Sequence, residues 1–289
     1  MTTMTKTTKE QILEFYKASL QRSLDAYAKL EEKEWNKKTD DWTAKEHLAM
    51  MPATMQIETL PLTKQALAGE ANHVQGFEKR SDMLPFREKS MRTLADKSPA
   101  ELMQLLQSTF GEHIQMLEGL SEADLDKPAM SPSWGVPGTI RDLFFASYLF
   151  LPGQYQEIRK VNKKKLPHWI ELSTPAQINY HMGRLFHYMP LILRSDKSAD
   201  VECTYLFTMD GEGGGQWGIA IDHGKAVSQD GAPENHDVEI KTKPESWIDL
   251  STGDLNPVTA VMPGPFNKVK LNGQMGLALK LSEFFSAEG

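Results

Sequence analysis

The stretch Met209–Lys225, MDGEGGGQWGIAIDHGK, constrains the fold most, because consecutive glycines join an apolar run to an alternating one. Glycine-rich loops that bind phosphate stand between a strand and the N-terminus of a helix. Here Trp217, Ile219 and Ile221 follow the glycines and alternate with small or polar residues, which is the period of a strand. Gly214 and Gly215 can also take the positive φ angles that tight hairpins require. The stretch therefore predicts a β-hairpin.

The chain before this hairpin has the periodicity of helices. Apolar residues recur at helical spacing from Lys9 to Glu34, which predicts a first helix. Three capping boxes, in which two side chains satisfy each other's backbone N–H groups, predict the starts of three more: Thr43 with Glu46, Ser98 with Glu101, and Thr139 with Asp142.

We expect prolines to disturb two of these helices, and the long connection between them to hold one short helical piece. Pro52 and Pro61 should kink or shorten the second helix, and Pro152-Gly153 should interrupt the fourth. Residues 69–97 are the connection. Four amphipathic helices predict an all-α four-helix bundle over residues 1–162.

A lysine-rich linker, residues 163–172, separates the bundle from a second domain of different character. Residues 173–289 begin with a helix and continue as short alternating strands between turns. The strands predicted are 202–209, 216–222, 225–229, 237–242 and 266–271, with a closing helix over 274–285. This pattern predicts an α+β domain with a five-stranded antiparallel sheet.

Composition excludes some classes of function. The formal charge of −7 and pI near 5.7 argue against a nucleic-acid partner. No apolar run approaches the roughly 20 residues that cross a bilayer, and the polar start is unlike a signal peptide, so we expect a cytoplasmic protein. The single cysteine, Cys203, lies in an apolar run and is expected to be buried and structural.

The second domain resembles the sterol-carrier-protein family over about a hundred residues. The motifs are, in order, Gln216-Trp217-Gly218-Ile219, Asp222-His223-Gly224-Lys225, Glu245-Ser246-Trp247-Ile248, Gly253-Asp254-Leu255-Asn256-Pro257 and Lys268-Val269-Lys270-Leu271-Asn272-Gly273. The resemblance implies a five-stranded sheet with helices over one face and an apolar tunnel for fatty acyl chains, sterols or similar ligands.

Eight apolar residues of this domain are the candidates for lining such a tunnel. They are Phe207, Trp217, Ile219, Ile221, Trp247, Phe266, Leu281 and Phe284. Ligand pockets are mostly apolar, but so are protein cores. Each of the eight therefore has two interpretations, as a ligand contact or as a plain core residue.

The first domain resembles the DinB-like four-helix bundles, which include the mycothiol-dependent maleylpyruvate isomerases. The matching segments are Trp42-Thr43-Ala44-Lys45-Glu46-His47-Leu48-Ala49 and Gly138-Thr139-Ile140-Arg141-Asp142-Leu143. The resemblance implies a divalent metal held by a histidine on helix two and by a pair four residues apart on helix four.

At those three positions the chain carries Met50, Phe150 and Gln154. A thioether, a phenyl ring and a neutral amide do not replace the imidazole or carboxylate ligands of a divalent ion. We therefore expect no metal and no other cofactor. Glu58, His113 and Tyr148 are the candidates for acid–base catalysis in the bundle, each with the alternative of a purely structural role.

Three hypotheses follow. The favoured one is a non-catalytic protein that binds an apolar or amphipathic small molecule such as a lipid, acyl or polyketide-like ligand. The second is a thiol-dependent isomerase or transferase that works without the family's metal site. The third is a structural module whose helix faces pair in a homodimer.

Overall fold

A computed structural model describes residues 8–39, 42–262, 264 and 267–285. Within these residues the chain divides into two compact units, residues 8–169 and 170–285. The division lies inside the lysine-rich stretch 163–172. Leu166 and Trp169 are buried, so the start of that stretch packs as part of the first unit.

The first unit is helical. Its helices are α1 (Lys9–Ala28), α2 (Ala44–Thr54), α3 (Leu60–Ala68), α4 (Met83–Arg92), α5 (Pro99–Gly119), α6 (Glu122–Leu125) and α7 (Ile140–Val161). A short antiparallel pair, β1 (Pro128–Ala129) and β2 (Gly138–Thr139), precedes α7. Helix α1 packs on α5 and α7, and α2 packs on the same two helices, which makes a four-helix bundle.

The predicted helix starts are confirmed. In each capping box the N-cap hydroxyl accepts from the third backbone N–H, and the carboxylate reaches back to the N-cap N–H, as at Thr43 and Glu46. The same arrangement starts α5 at Ser98 and α7 at Thr139. The first helix is shorter than predicted, because it ends at Ala28 and a 3₁₀ turn follows at Glu32–Glu34.

The two predictions about prolines have different outcomes. Helix α7 runs through Pro152 without interruption, so the predicted break is wrong. Between Pro52 and Pro61 the segment Met55–Thr59 is π-helical and joins α2 to α3. A π-helical turn widens the helix locally and is frequent at functional sites.

The second unit is an α+β domain. Its helices are α8 (Pro175–Tyr188), α9 (Pro244–Ser251), α10 (Pro257–Ala260) and α11 (Met275–Phe284), and a 3₁₀ segment, Met189–Ile192, follows α8. Its strands are β3 (Glu202–Met209), β4 (Gly215–Asp222), β5 (Lys225–Asp230), β6 (Val238–Thr242) and β7 (Lys270–Gly273). They form one sheet in the order β5-β4-β3-β6-β7.

The sheet is mixed, so the prediction of an all-antiparallel sheet is wrong. Strands β3 and β6 pair in parallel, with Tyr205 opposite Val238 and Met209 opposite Thr242, whereas the other neighbours are antiparallel. The fifth strand also begins later than predicted, at Lys270. The residue pattern of a strand does not predict which edge of the sheet it joins, because long-range packing determines the pairing.

The glycine-rich stretch forms the predicted hairpin between β3 and β4. The positive φ angles fall on Gly211 and Gly213, at +103° and +70°, and not on Gly214 and Gly215 as predicted. Gly214 is required for a different reason, because a Cβ there would overlap the carbonyl oxygen of Met209. A second turn, His223-Gly224 with φ of 46° and 80°, joins β4 to β5.

Candidate functional site

One face of the sheet carries an aromatic cluster covered by α8. Phe207 and Trp217 are cross-strand partners, so their side chains leave the sheet on the same face. The ring of Phe186, from α8, lies 4.5 Å from that of Phe207 and 5.2 Å from that of Trp217. Gly183 makes this approach possible, because a Cβ there would meet the Trp217 indole nitrogen at 3.3 Å.

Trp247, from α9, completes the cluster. Its ring lies 5.5 Å from that of Phe186 and meets Phe207 edge-on at 5.4 Å. The indole Nε1 of Trp247 is buried and has no hydrogen-bond partner among the described residues. A buried indole N–H normally finds an acceptor. The cluster therefore includes a buried donor whose hydrogen bond is not satisfied within the described residues.

The eight predicted ligand contacts fall into three groups. Five of them are buried, two are half-buried, and Phe266 lies outside the described residues. The buried ones are Phe207, Trp217, Ile219, Ile221 and Phe284, and the half-buried ones are Trp247 and Leu281. Packing explains the buried ones as core residues of the sheet and its helices. Their role as ligand contacts stays a prediction.

In the bundle, the positions of the implied metal ligands do not suit a divalent ion. Met50 is buried and its sulfur accepts from the Thr54 hydroxyl at 3.5 Å. The guanidinium of Arg87 lies 5.1 Å from the centre of the Phe150 ring, in cation–π geometry. Gln154 is 7% exposed and its Oε1 has no partner among the described residues. A fixed cation beside Phe150 disfavours a metal ion there, and the residues present do not fit one.

Glu58 is the centre of a buried polar cluster. It lies in the π-helical segment, and its carboxylate accepts from Arg87 at 3.1 Å and from the Ser131 hydroxyl at 2.9 Å. The hydroxyls of Ser131 and Ser133 are 2.8 Å apart. Arg80 donates from Nε to the Ser133 carbonyl at 3.0 Å. One guanidinium group and one hydroxyl therefore bind the carboxylate directly, and Ser133 and Arg80 extend the cluster beyond Ser131.

His113 and Tyr148 belong to a different, aromatic cluster around Tyr16. The His113 ring lies 5.4 Å from Tyr16 and 4.2 Å from Phe144, and the Tyr148 ring is 6.2 Å from Tyr16. His113 is fully buried, and neither ring nitrogen has a partner among the described residues. Burial lowers the pKa of His113 to about 3, so its ring is neutral near pH 7.

The three predicted catalytic candidates make different contacts, and their catalytic role stays a prediction. The partners of Glu58 are Arg87 and Ser131, whereas His113 and Tyr148 pack against Tyr16. Sequence reasoning missed Arg87 because its partner is 29 residues away and residues 69–97 show no helical period. Among the described residues, no group of three or more histidine, cysteine or acidic side chains is arranged to hold a metal ion.

The second unit is similar in sequence to a known family. Residues 193–286 match the SCP-2 sterol transfer family. The SCP-2-type domain also relates the chain to the Hydroxysteroid dehydrogenase-like protein 2 of Xenopus tropicalis, at 36% identity over 80 residues, and of Homo sapiens, at 30% over 100 residues. These matches cover 27% and 33% of this chain but only 18% and 23% of the relatives.

Similarity over the whole chain appears at the level of structure. The mycothiol-dependent maleylpyruvate isomerase aligns with a TM-score of 0.58 at 12% identity, covering 95% of this chain and 98% of that chain. At this identity the comparison establishes the fold: a DinB-like bundle in the first unit and an SCP-2-type domain in the second. In the described residues, no helix is both long and apolar enough to span a membrane.

Proposed function

We propose that this protein binds an apolar or amphipathic small molecule, and that the SCP-2-type domain holds it. The observation that carries the proposal is the aromatic cluster of Phe186, Phe207, Trp217 and Trp247 in a domain of the sterol transfer family. Large rings on several elements supply apolar contact area with few rotatable bonds.

The Trp247 indole favours an amphipathic ligand over a purely apolar one. Its N–H is buried without an acceptor among the described residues, and an unsatisfied buried donor costs about 1–3 kcal/mol. A ligand carboxyl, hydroxyl or carbonyl oxygen beside Nε1 would supply the acceptor. We therefore expect one end of the ligand to be polar and to lie against α9.

A fluorescent fatty acid, titrated into the full chain, tests the proposal. We expect saturable binding of the fatty acid, and we expect W247F to weaken its affinity about 5-fold. This is the effect of losing one hydrogen bond that contributes roughly 1 kcal/mol. The matched control is W35F, in the bundle, which should leave binding unchanged. Lipid extraction of the purified protein followed by mass spectrometry should recover a molecule with a polar end. Absence of saturable binding together with an empty extract would overturn the proposal.

A second candidate is a thiol-dependent isomerase or transferase that needs no metal ion. The buried Glu58 carboxylate supports it, since Arg87 and Ser131 position this group at a π-helical turn. Maleylpyruvate turnover with mycothiol, in the presence of a chelator, is the assay. This candidate predicts turnover that E58Q lowers at least 100-fold, and a rate equal to that without protein rejects it.

A further inference from the structure

In the SCP-2-type domain, a histidine side chain lies between a serine hydroxyl and an aspartate carboxylate and is close to both. The hydroxyl of Ser228, on β5, is 2.7 Å from Nδ1 of His187, at the C-terminal end of α8. The other ring nitrogen, Nε2, lies 3.5 Å from a carboxylate oxygen of Asp230. The side chains of His187 and Asp230 are 14% and 27% exposed, so both are partly shielded from solvent but remain accessible to it.

The sheet register accounts for this arrangement. Ser228 and Asp230 are two residues apart on one strand, so both side chains leave β5 on the same face. Ser228 is paired with Ile219, and Asp230 with Trp217, so that face is the one covered by α8. His187 bridges the two because it lies on α8, one residue after Phe186.

The backbone of Ser228 adds a hydrogen-bond donor. The turn His223-Gly224 closes on the pair Asp222 and Lys225, which in a two-residue hairpin is a hydrogen-bonded pair. Hydrogen-bonded and non-hydrogen-bonded pairs alternate from there, which makes Ser228 opposite Ile219 a non-hydrogen-bonded pair. Its N–H therefore points away from β4, toward the free edge of the described sheet, where β5 is the outermost strand.

We propose that Ser228, His187 and Asp230 form a nucleophilic site that accepts an acyl group from a carboxylic ester. His187 takes the proton as Ser228 Oγ bonds to the ester carbonyl carbon, and it returns the proton to the alcohol oxygen as the carbon–oxygen bond breaks. Water then attacks the acyl-serine with the same proton transfers, releasing the carboxylic acid. Asp230 orients the ring and stabilises its protonated form, and the Ser228 N–H faces the oxyanion.

The surroundings indicate an acyl chain as the group transferred. The 3₁₀ segment Met189–Ile192 packs against β5 and buries Met189 and Leu191, and Ile219 is buried beside Ser228. These apolar neighbours suit an alkyl group on the bound carbonyl better than a polar one. This inference goes beyond ligand binding, since the proposed binding function stands whether or not Ser228 reacts.

Labelling of the full chain with a fluorophosphonate probe tests the site. Ser228 Oγ would displace fluoride from phosphorus, and peptide mass spectrometry would locate the adduct. We expect labelling at Ser228 in the native chain, none at this peptide in S228A, and a rate at least 100-fold lower in H187Q, because general-base assistance contributes about 10²–10⁴ in rate. S251A, a serine substitution on α9, should label like the native chain.

Two results would overturn the proposal. One is a native chain that stays unmodified at Ser228, and the other is equal labelling of Ser228 in the native chain and in H187Q. The first readout needs no variant, so a loss of stability in S228A does not obscure it. Hydrolysis of p-nitrophenyl butyrate gives an independent reading, with turnover expected in the native chain and lost in S228A.

Discussion

His113 illustrates how one buried side chain affects the chemistry of the bundle. Its ring lies between Tyr16 and Phe144 and has no hydrogen-bond partner among the described residues. A neutral imidazole in such surroundings behaves as a flat apolar group. It does not act as a general acid at neutral pH while its pKa stays near 3.

The same burial predicts a pH dependence of stability. The folded-state pKa of about 3 is below the ordinary value of 6.5, so the unfolded chain binds more protons between these two values. The free energy of unfolding should therefore fall as the pH drops from 6.5 toward 3, by up to about 1.4 kcal/mol per pH unit. Urea unfolding at pH 7 and pH 5 measures it. In H113L the free energy of unfolding should depend less steeply on pH. H236Q, a change at an exposed histidine, should keep the pH dependence of the native chain.

Residue-scale features differ in how well the sequence predicts them. The alternation of residues along β3 and β4 predicts one shared face for four apolar side chains, and the strand register confirms it. They are Phe207, Trp217, Ile219 and Ile221. The partners of Glu58 could not be predicted, because Arg87 and Ser131 reach it across 29 and 73 residues. His187 and Ser228 are likewise brought together across 41 residues by the packing of α8 on the sheet.

At the scale of elements, the loop between β3 and β4 depends on close backbone contact with α8. A Cβ at Gly213 would lie 2.6 Å from the Cβ of Ile178 and from the Pro175 carbonyl oxygen. Gly211 has a positive φ as well, but no heavy atom lies within 4 Å of its added Cβ. Comparing an alanine substitution at each glycine therefore separates the effect of backbone strain from that of steric overlap.

We expect G213A to destabilise the SCP-2-type domain by about 2–4 kcal/mol, since strain and overlap add. G211A should cost only about 1 kcal/mol, the strain of a positive φ. Chemical denaturation monitored by tryptophan fluorescence gives both values. Equal losses in the two variants would show that the contact with α8 contributes nothing.

Helix α4 is attached to the bundle by a buried ion pair. The Arg87 and Glu58 side chains are 17% and 8% exposed, whereas Arg92 on the same helix pairs with Glu88 in solvent, at 76% and 37%. R87M leaves the Glu58 carboxylate buried without its cation, so we expect a loss of about 3 kcal/mol. R92M, the matched control, should change stability by less than about 0.5 kcal/mol.

The double variant E58Q/R87M sharpens this prediction. It should be less destabilised than the sum of the two single variants, because no uncompensated charge remains. Additive losses, measured by urea unfolding, would mean that the two side chains stabilise the bundle independently of each other.

Local signals predicted where elements begin better than where they end or pair. The capping boxes gave the starts of α2, α5 and α7 because their hydrogen bonds join residues only three apart. Pro152 was expected to break α7, since an interior proline costs about 3 kcal/mol. The helix continues because Leu151, Pro152, Gln154 and Tyr155 are all buried there, and tertiary packing outweighs the local penalty.

At the scale of the whole molecule, each unit has its own core. The bundle core centres on Tyr16, Phe110 and Phe144, and the SCP-2-type domain on Phe186 and Phe207. The change from helical to strand periodicity near residue 200 made two domains predictable. Which known proteins each domain resembles needed motifs as well, since periodicity is shared by many folds.

Separate cores predict two unfolding transitions. G213A should shift only the transition of the SCP-2-type domain, and R87M only that of the bundle, because each change lies within one unit. Calorimetry of the full chain resolves the two transitions. Tryptophan fluorescence of W35F and of W247F, each compared with the native chain, assigns the fluorescence change of unfolding to the bundle or to the SCP-2-type domain. A single transition that both variants shift equally would contradict this prediction.

The parallel pairing of β3 with β6 has a consequence for the order of folding. Strands β3, β4 and β5 are joined by short turns, so this part of the sheet can form from contacts between near neighbours in sequence. Tyr205 pairs with Val238 across the intervening hairpin, and β7 pairs with β6, so we expect these two pairings to form later. Closing a loop of this length before any contact forms is entropically costly, which slows the step. The rate-limiting event in forming the domain should therefore be the docking of β6 beside β3, with the edge of β3 exposed until it occurs.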